Sequence, residues 1–259
     1  MKTFTKLTIA LLIVLAPVCS WGQAKVYTKK AKMADFTTNT TKVVLSSDSP
    51  LESALRSEIS SRWRVSPYEF CSVADYEAQS KDFHFYFLRL VSEDGVAFLS
   101  LEKGGNKDSE NNFEKPFEVV RIPVAPDGNI SGKELMYLGA YLDVIQSFSE
   151  KCMESDRIGY AGLGVNNLAS LKGKSVYFDE DRADLVFTQC MEGAVVPIII
   201  LSSDGKICYR MLLSADSHEV LYYAKGKVKD PKSAGFTDME IKSFAKRNAE
   251  IIRTIPVDA

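Results

Sequence analysis

Two dipeptides constrain this chain more than anything else in it. They are Asp94-Gly95, inside DFHFYFLRLVSEDGVAFLSLEKGG, and Asp204-Gly205, between AVVPIIILSS and KICYRMLL. An Asp-Gly pair tolerates the positive φ of a tight turn, and here each pair is flanked by long runs of β-branched and aromatic residues. Each therefore predicts an antiparallel hairpin. In the first, Phe83, Phe85 and Phe87 are expected on one face and His84, Tyr86 and Leu88 on the other. A strand apolar on both faces belongs in the middle of a sheet that is covered on both sides.

Shorter runs add strands: KVVLS (42–46), YEFCSV (68–73), FEVVRIPV (117–124), KSVYF (174–178) and EVLYYAKGKV (219–228). The clearest helix start is SPLESALRSEISSRW. Ser49 stands as N-cap, Pro50 at the first helical position and Glu52 three residues after the cap, while Leu51, Leu55, Ile59 and Trp63 form one apolar stripe. A second, long helix is expected over SGKELMYLGAYLDVIQSFSEKCM, opened by Ser131 with Glu134 and packed through Leu138, Leu142, Ile145, Phe148 and Cys152. TDMEIKSFAKRNAEII, opened by Thr237 with Glu240, is expected to end the chain as a helix. VADYEAQS reads as a helical turn or loop.

Hairpins intrude on a βα alternation, so the expected fold class is α/β, grading toward α+β, with a mixed sheet covered by helices. The two parts echo each other without a residue-level repeat, which predicts two similar halves. The division expected is a leader over 1–22, a first half over 23–155, a linker over 156–173 (GYAGLGVNNLASLKG supplies its glycines) and a second half over 174–259.

At the N-terminus, Lys2 and Lys6 precede an apolar run from Leu7 to Val18 and then small or polar residues around Ser20 and Gly22. This layout reads as a secretory signal peptide cleaved near Gly22. Val18 occupies the place before Cys19 where a lipid-anchored leader needs a small residue, which argues against a lipid anchor. Nothing later approaches a membrane-spanning apolar run, so the product is expected to be exported, periplasmic or extracellular. Removing Lys2 and Lys6 from 32 basic residues against 34 acidic ones leaves a mildly acidic chain, which excludes a dedicated nucleic-acid surface.

Chemistry-bearing candidates are few. Cys71 and His84 sit on runs read as consecutive strands, so a thiol activated by an imidazole is one candidate pair. Burial or a disulfide are the plainer fates for Cys71, and Cys152, Cys190 and Cys208 are the other cysteines beyond the leader. Asp179, Asp181 and Asp184, with Glu180, crowd YFDEDRAD and are the candidate cation ligands, although a calcium loop would need a glycine and a distal glutamate in register. SLEK (100–103) matches S-x-x-K on a strand, where serine and lysine face opposite ways. Neither GGNKDS nor GYAGLG has phosphate-loop or dinucleotide spacing, and no cofactor is implied.

KVVLSSDSPLESALRSEISSRW, SPYEFCS, FHFYFLRL, FLSLEKGG and SADSHEVLYYAKGK, in that order behind a leader ending in WGQA, resemble a group of exported Bacteroidetes proteins without an assigned function. The resemblance implies a location in the periplasm or beyond and carries over no catalytic residues. The function expected is a non-catalytic binding or interaction protein of the cell envelope, whose partner is an envelope protein or a small ligand. The competing readings are an envelope hydrolase, using Cys71 and His84 or dispersed carboxylates, and a structural or assembly subunit.

Overall fold

The computed structural model describes residues 33–46, 49–105, 116–128, 132–164 and 167–253. The expected leader, residues 1–22, and Ser131 lie outside the described residues. The first sheet is built from β1 (Thr41–Leu45), β2 (Tyr68–Ser72), β3 (Tyr86–Glu93), β4 (Val96–Lys103) and β5 (Phe117–Pro126), with α1 (Pro50–Arg62) and α2 (Val73–Gln79) on either side of β2 along the chain. Then come α3 (Gly132–Met136), α4 (Leu138–Glu154) and α5 (Asp156–Ala161). The second sheet uses β6 (Ser175–Tyr177), β7 (Ala194–Leu201), β8 (Ile207–Ser214), β9 (Val220–Lys227) and β10 (Glu250–Ile252), with α6 (Glu180–Thr188) after β6 and α7 (Asp238–Ala245) before β10.

The strand orders are β2-β1-β3-β4-β5 and β10-β6-β7-β8-β9. In each sheet the first three strands run parallel and the last three form an antiparallel meander. The two halves are therefore alike, position for position, in an α/β fold with mixed sheets. One difference separates them: the parallel edge strand comes second along the chain in the first half and last in the second.

Local sequence explains most elements. Ser49 caps α1, accepting from the Glu52 amide at 3.2 Å, and Leu51, Leu55, Ile59 and Trp63 are all buried. The Trp63 indole donates to Ser66 Oγ at 3.1 Å, and Ser66 Oγ lies 2.7 Å from Thr41 Oγ1, so the connection into β2 is tied to the start of β1. Asp94 and Gly95 both take positive φ, 51° and 71°, as a two-residue β-hairpin requires. A Cβ on Gly95 would also come within 2.7 Å of Ser203 Oγ, because the second hairpin tip docks here with the Ser203 amide on the Gly95 carbonyl at 2.8 Å.

Three expectations need correction, and a fourth, the helical turn or loop at VADYEAQ, is made definite. β3 begins only at Tyr86, so Phe83, His84 and Phe85 are not strand residues; the Asp82 side chain accepts from the His84 amide at 3.0 Å and its carbonyl from the Phe85 amide at 3.2 Å, turning the chain first. VADYEAQ is the helix α2, capped reciprocally by Ser72 and Asp75. The long helix is two, α3 and α4, parted at Tyr137, whose ring is buried. The last helix stops at Ala245; Asn248 takes φ 60°, and the chain leaves as β10, pairing parallel with β6. The capping of α7 by Thr237 and Glu240 is as expected.

Alternation along the second sheet decides what it packs against. Val196, Ile198, Ile200, Tyr209, Met211 and Leu213 face a core shared with the first sheet, whereas Val195, Leu212 and Leu221 face the other way, toward Phe244 of α7. Phe98 of β4 meets Tyr209 of β8 edge to face at 5.4 Å, with the Arg121 guanidinium over the Phe98 ring. Among the described residues, no helix is long and apolar enough to cross a membrane. Because one core serves both sheets, Phe98→Ala should lower stability by about 3–5 kcal/mol. Urea denaturation should show one transition with a lower midpoint; two transitions with only one moved would contradict the shared core.

Candidate functional site

Helix α4 places the side chains around which every candidate site is built. Ten of its 17 residues, from Leu138 to Cys152, are buried, so most of its circumference is covered and only a polar stripe that includes Glu150, Lys151 and Glu154 faces solvent. Tyr137 at its start and Tyr141 one turn on project the same way, their rings 6.5 Å apart. The Tyr137 hydroxyl donates to Asp184 Oδ1 on α6 at 3.0 Å, and its ring lies 4.3 Å from that of Phe187. Burial, then the nearby Asp184 carboxylate, pushes the Tyr137 phenol upward.

Tyr141 is 1% exposed, and its hydroxyl has no hydrogen-bond partner among the described residues. Burial and then the charge of Glu134 push this phenol upward as well. A buried hydroxyl without a partner costs about 1–3 kcal/mol, so this phenol works against the stability of the fold that holds it. Both phenols and Glu134 line a cleft of about 280 Å³. α6 contributes Glu180, Ala183 and Asp184 to its walls, and β7 contributes Pro197 and Ile199, the latter 46% exposed. Lys133 ion-pairs with Glu180 and lies 3.9 Å from Asp184.

A second cluster hangs on the same helix. His218, in the turn between β8 and β9, points Nδ1 at Asp143 Oδ2 of α4 at 2.7 Å, and Arg62 of α1 reaches the same oxygen at 3.3 Å. The His218 backbone sits at φ 54°. Its turn is held by Asp216, which accepts from Ser214 Oγ at 2.6 Å and from the Gly193 amide at 3.2 Å; these bonds hold the Asp216 carboxyl down at about 2. His218 borders two more open clefts, of about 520 and 590 Å³, with Ser147 on both. No described hydroxyl bonds to the imidazole.

The residues singled out from sequence fall elsewhere. Cys71 lies on β2, opposite Val44, whereas His84 lies in the turn before β3 at the other end of the sheet, with its ring 2.9 Å from Asp82. One strand and about five residues of strand length separate them, on the order of 15 Å. Burial pushes the Cys71 thiol up, the opposite of what a nucleophile needs. All four described cysteines are free, and Cys152 is buried under α4 as its place on the stripe predicted. Lys103 of SLEK is bound by Asp35 at 2.7 Å.

Asp179, Asp181 and Asp184 belong to a helix, not to an acidic loop. Asp179 caps α6, accepting from the Arg182 amide at 3.0 Å, and Asp181 sits in its first turn, where the helix dipole favours it. Asp184 faces the cleft and Tyr137. Among the described residues, no three His, Cys, Asp or Glu side chains are placed to share a metal ion. Neither Tyr137, Tyr141 nor His218 stood out in the sequence. The available signal was two tyrosines four apart on a helix whose stripe otherwise carries no hydroxyl, since each phenol brings a hydroxyl that needs a partner inside a core.

With this geometry in hand, comparison with family models, with curated proteins and with solved structures returns no match.

Two outcomes follow. Tyr141→Phe removes the unpaired hydroxyl and should raise the stability of the ligand-free protein by about 1 kcal/mol in urea denaturation. Thiol labelling of the native protein should modify the exposed Cys190 first and Cys71 slowly, and spare Cys152 and Cys208. A fast reaction that survives Cys190→Ser and is lost in Cys71→Ser would contradict the reading of Cys71 as an inert thiol.

Proposed function

We propose that this chain is an exported envelope protein that binds a small molecule without transforming it, in the cleft between α3, α4, α6 and β7. The observation that carries the reading is the Tyr141 hydroxyl, buried and unpaired beside a cleft with an apolar floor and polar walls. That combination is what a small-ligand site needs: hydrocarbon for affinity and a few polar groups for orientation. The separation of Cys71 from His84, and the raised thiol, weigh against a cysteine hydrolase. Export rests on the leader-like residues 1–22 and on the resemblance to exported Bacteroidetes proteins.

The His218 and Asp143 pair favours a second reading, a hydrolase in which Asp143 orients His218 as general base. It needs a nucleophile, and Ser147, on the wall of both adjoining clefts, makes no hydrogen bond to the ring. The binding reading accounts for the buried phenol; the hydrolase reading leaves it unexplained.

Two measurements test the proposal. Fractionation of the producing cells should recover the protein outside the cytoplasm with an N-terminus at Gln23; a full-length cytoplasmic product would sink the export reading. Native mass spectrometry of the protein from that fraction should show an added small-molecule mass that Tyr141→Phe loses and His218→Ala keeps. The reverse pattern would favour the hydrolase.

A further inference from the structure

The cleft runs along an open strand edge. Side chains of β7 alternate between the two faces of its sheet, yet Pro197, Ile198, Ile199 and Ile200 all line the same space, which only the edge of the strand allows. The hydrogen bonds agree. On the β8 side, the Ala194 carbonyl accepts from the Ala215 amide at 2.9 Å and the Ser202 amide donates to the Ile207 carbonyl at 2.8 Å. Even-numbered residues of β7 therefore bond to β8, and odd-numbered ones turn their main-chain groups toward β6, as the Gly193 carbonyl does in accepting from the Ser175 amide at 3.0 Å.

β6 pairs with β7 only as far as Val176 and Val195. The next donor in that parallel ladder would be residue 197, a proline without an N–H, and the chain leaves through Phe178 into α6. Beyond this point the Pro197 carbonyl and the Ile199 amide and carbonyl have no partner among the described residues. The same alternation separates the cleft's two walls. Ile198 and Ile200 share their face with Tyr137, Tyr141 and Ala183, whereas Phe178 packs on the opposite face, with Phe236.

We propose that the cleft takes a short peptide in extended conformation, added beside β7 in the place that β6 vacates. Its N–H and C=O groups pair with Ile199 and the Pro197 carbonyl, and its side chains alternate between the Tyr141 wall and the Phe178 wall. About three residues in parallel register satisfy all of these main-chain groups, a length that suits a space of about 280 Å³. The buried Tyr141 hydroxyl then finds its partner on the ligand. This deepens the binding reading above and rests on it.

The test titrates the purified protein with acetyl-alanyl-valyl-alanine amide. Its blocked ends keep the charges of Lys133, Glu134, Glu180 and Asp184, and the Arg253 guanidinium over the Phe178 ring, out of the comparison. Amide NMR should show the Ile199 resonance shifting and its hydrogen exchange slowing, with Val195 unchanged. The same peptide with every residue nitrogen methylated should bind about tenfold more weakly or worse, and Ile199→Pro should weaken the parent peptide about tenfold. If that variant misfolds, the methylated peptide decides alone. Equal binding of the two peptides, no shift with either at millimolar concentration, or a co-purifying mass that fragments into no amino-acid residues overturns the peptide class and leaves the cleft as a binding site. Ile199 shifts that appear on concentrating the protein without peptide overturn it in favour of a second copy on the edge. Absence of both the co-purifying mass and any shift overturns the binding reading as well.

Discussion

Burying α4 is the constraint on which the rest of this structure depends. A helix that buries ten of its 17 residues cannot rest on one sheet face alone, so α1, β5 and the second half of the chain all close over it. Two of its half-buried polar side chains bridge its neighbours. Asp143 joins Arg62 of α1 to His218 of the β8–β9 turn, and Gln146 accepts from the Arg64 amide at 2.7 Å. The Tyr137 and Tyr141 phenols emerge where the helix begins, where α6 and β7 stop short of sealing it.

Seen this way, the cleft is a by-product of packing that has acquired polar walls. Nothing in the hydrophobic core requires a phenol at Tyr141; a phenylalanine of the same shape would bury equally well and bring no desolvated hydroxyl. The same logic separates Tyr141 from Tyr86, whose hydroxyl is buried against Asp35 at 2.6 Å and is satisfied within the fold.

Features carried by short-range chemistry were legible in the sequence. The Asp94-Gly95 and Asp204-Gly205 hairpins, the Ser49 and Thr237 caps and the stripe from Leu138 to Cys152 all follow from a few adjacent residues. The elements misread are those whose identity depends on distant partners. Glu250–Ile252 is a strand because β6 offers it a free edge, although the residues before it are helical, and Phe83 and Phe85 leave the strand because Asp82 folds the backbone first. The site was less legible than the fold. Tyr137 and Asp184 lie 47 positions apart, and the meaning of Tyr141 lies in what fails to reach it.

The unlike placement of the two edge strands bears on how the chain is assembled. A chain delivered N-terminus first, from a ribosome or through a translocation channel, presents β1 to β5 together, so the first sheet can close while the remainder is still emerging. The second cannot do likewise: β6 awaits β10, which follows every other strand of its sheet along the chain. One flank of the nascent second sheet therefore stays open as an unpaired edge until Glu250–Ile252 emerges, and loss of that strand would leave it a standing invitation to aggregate.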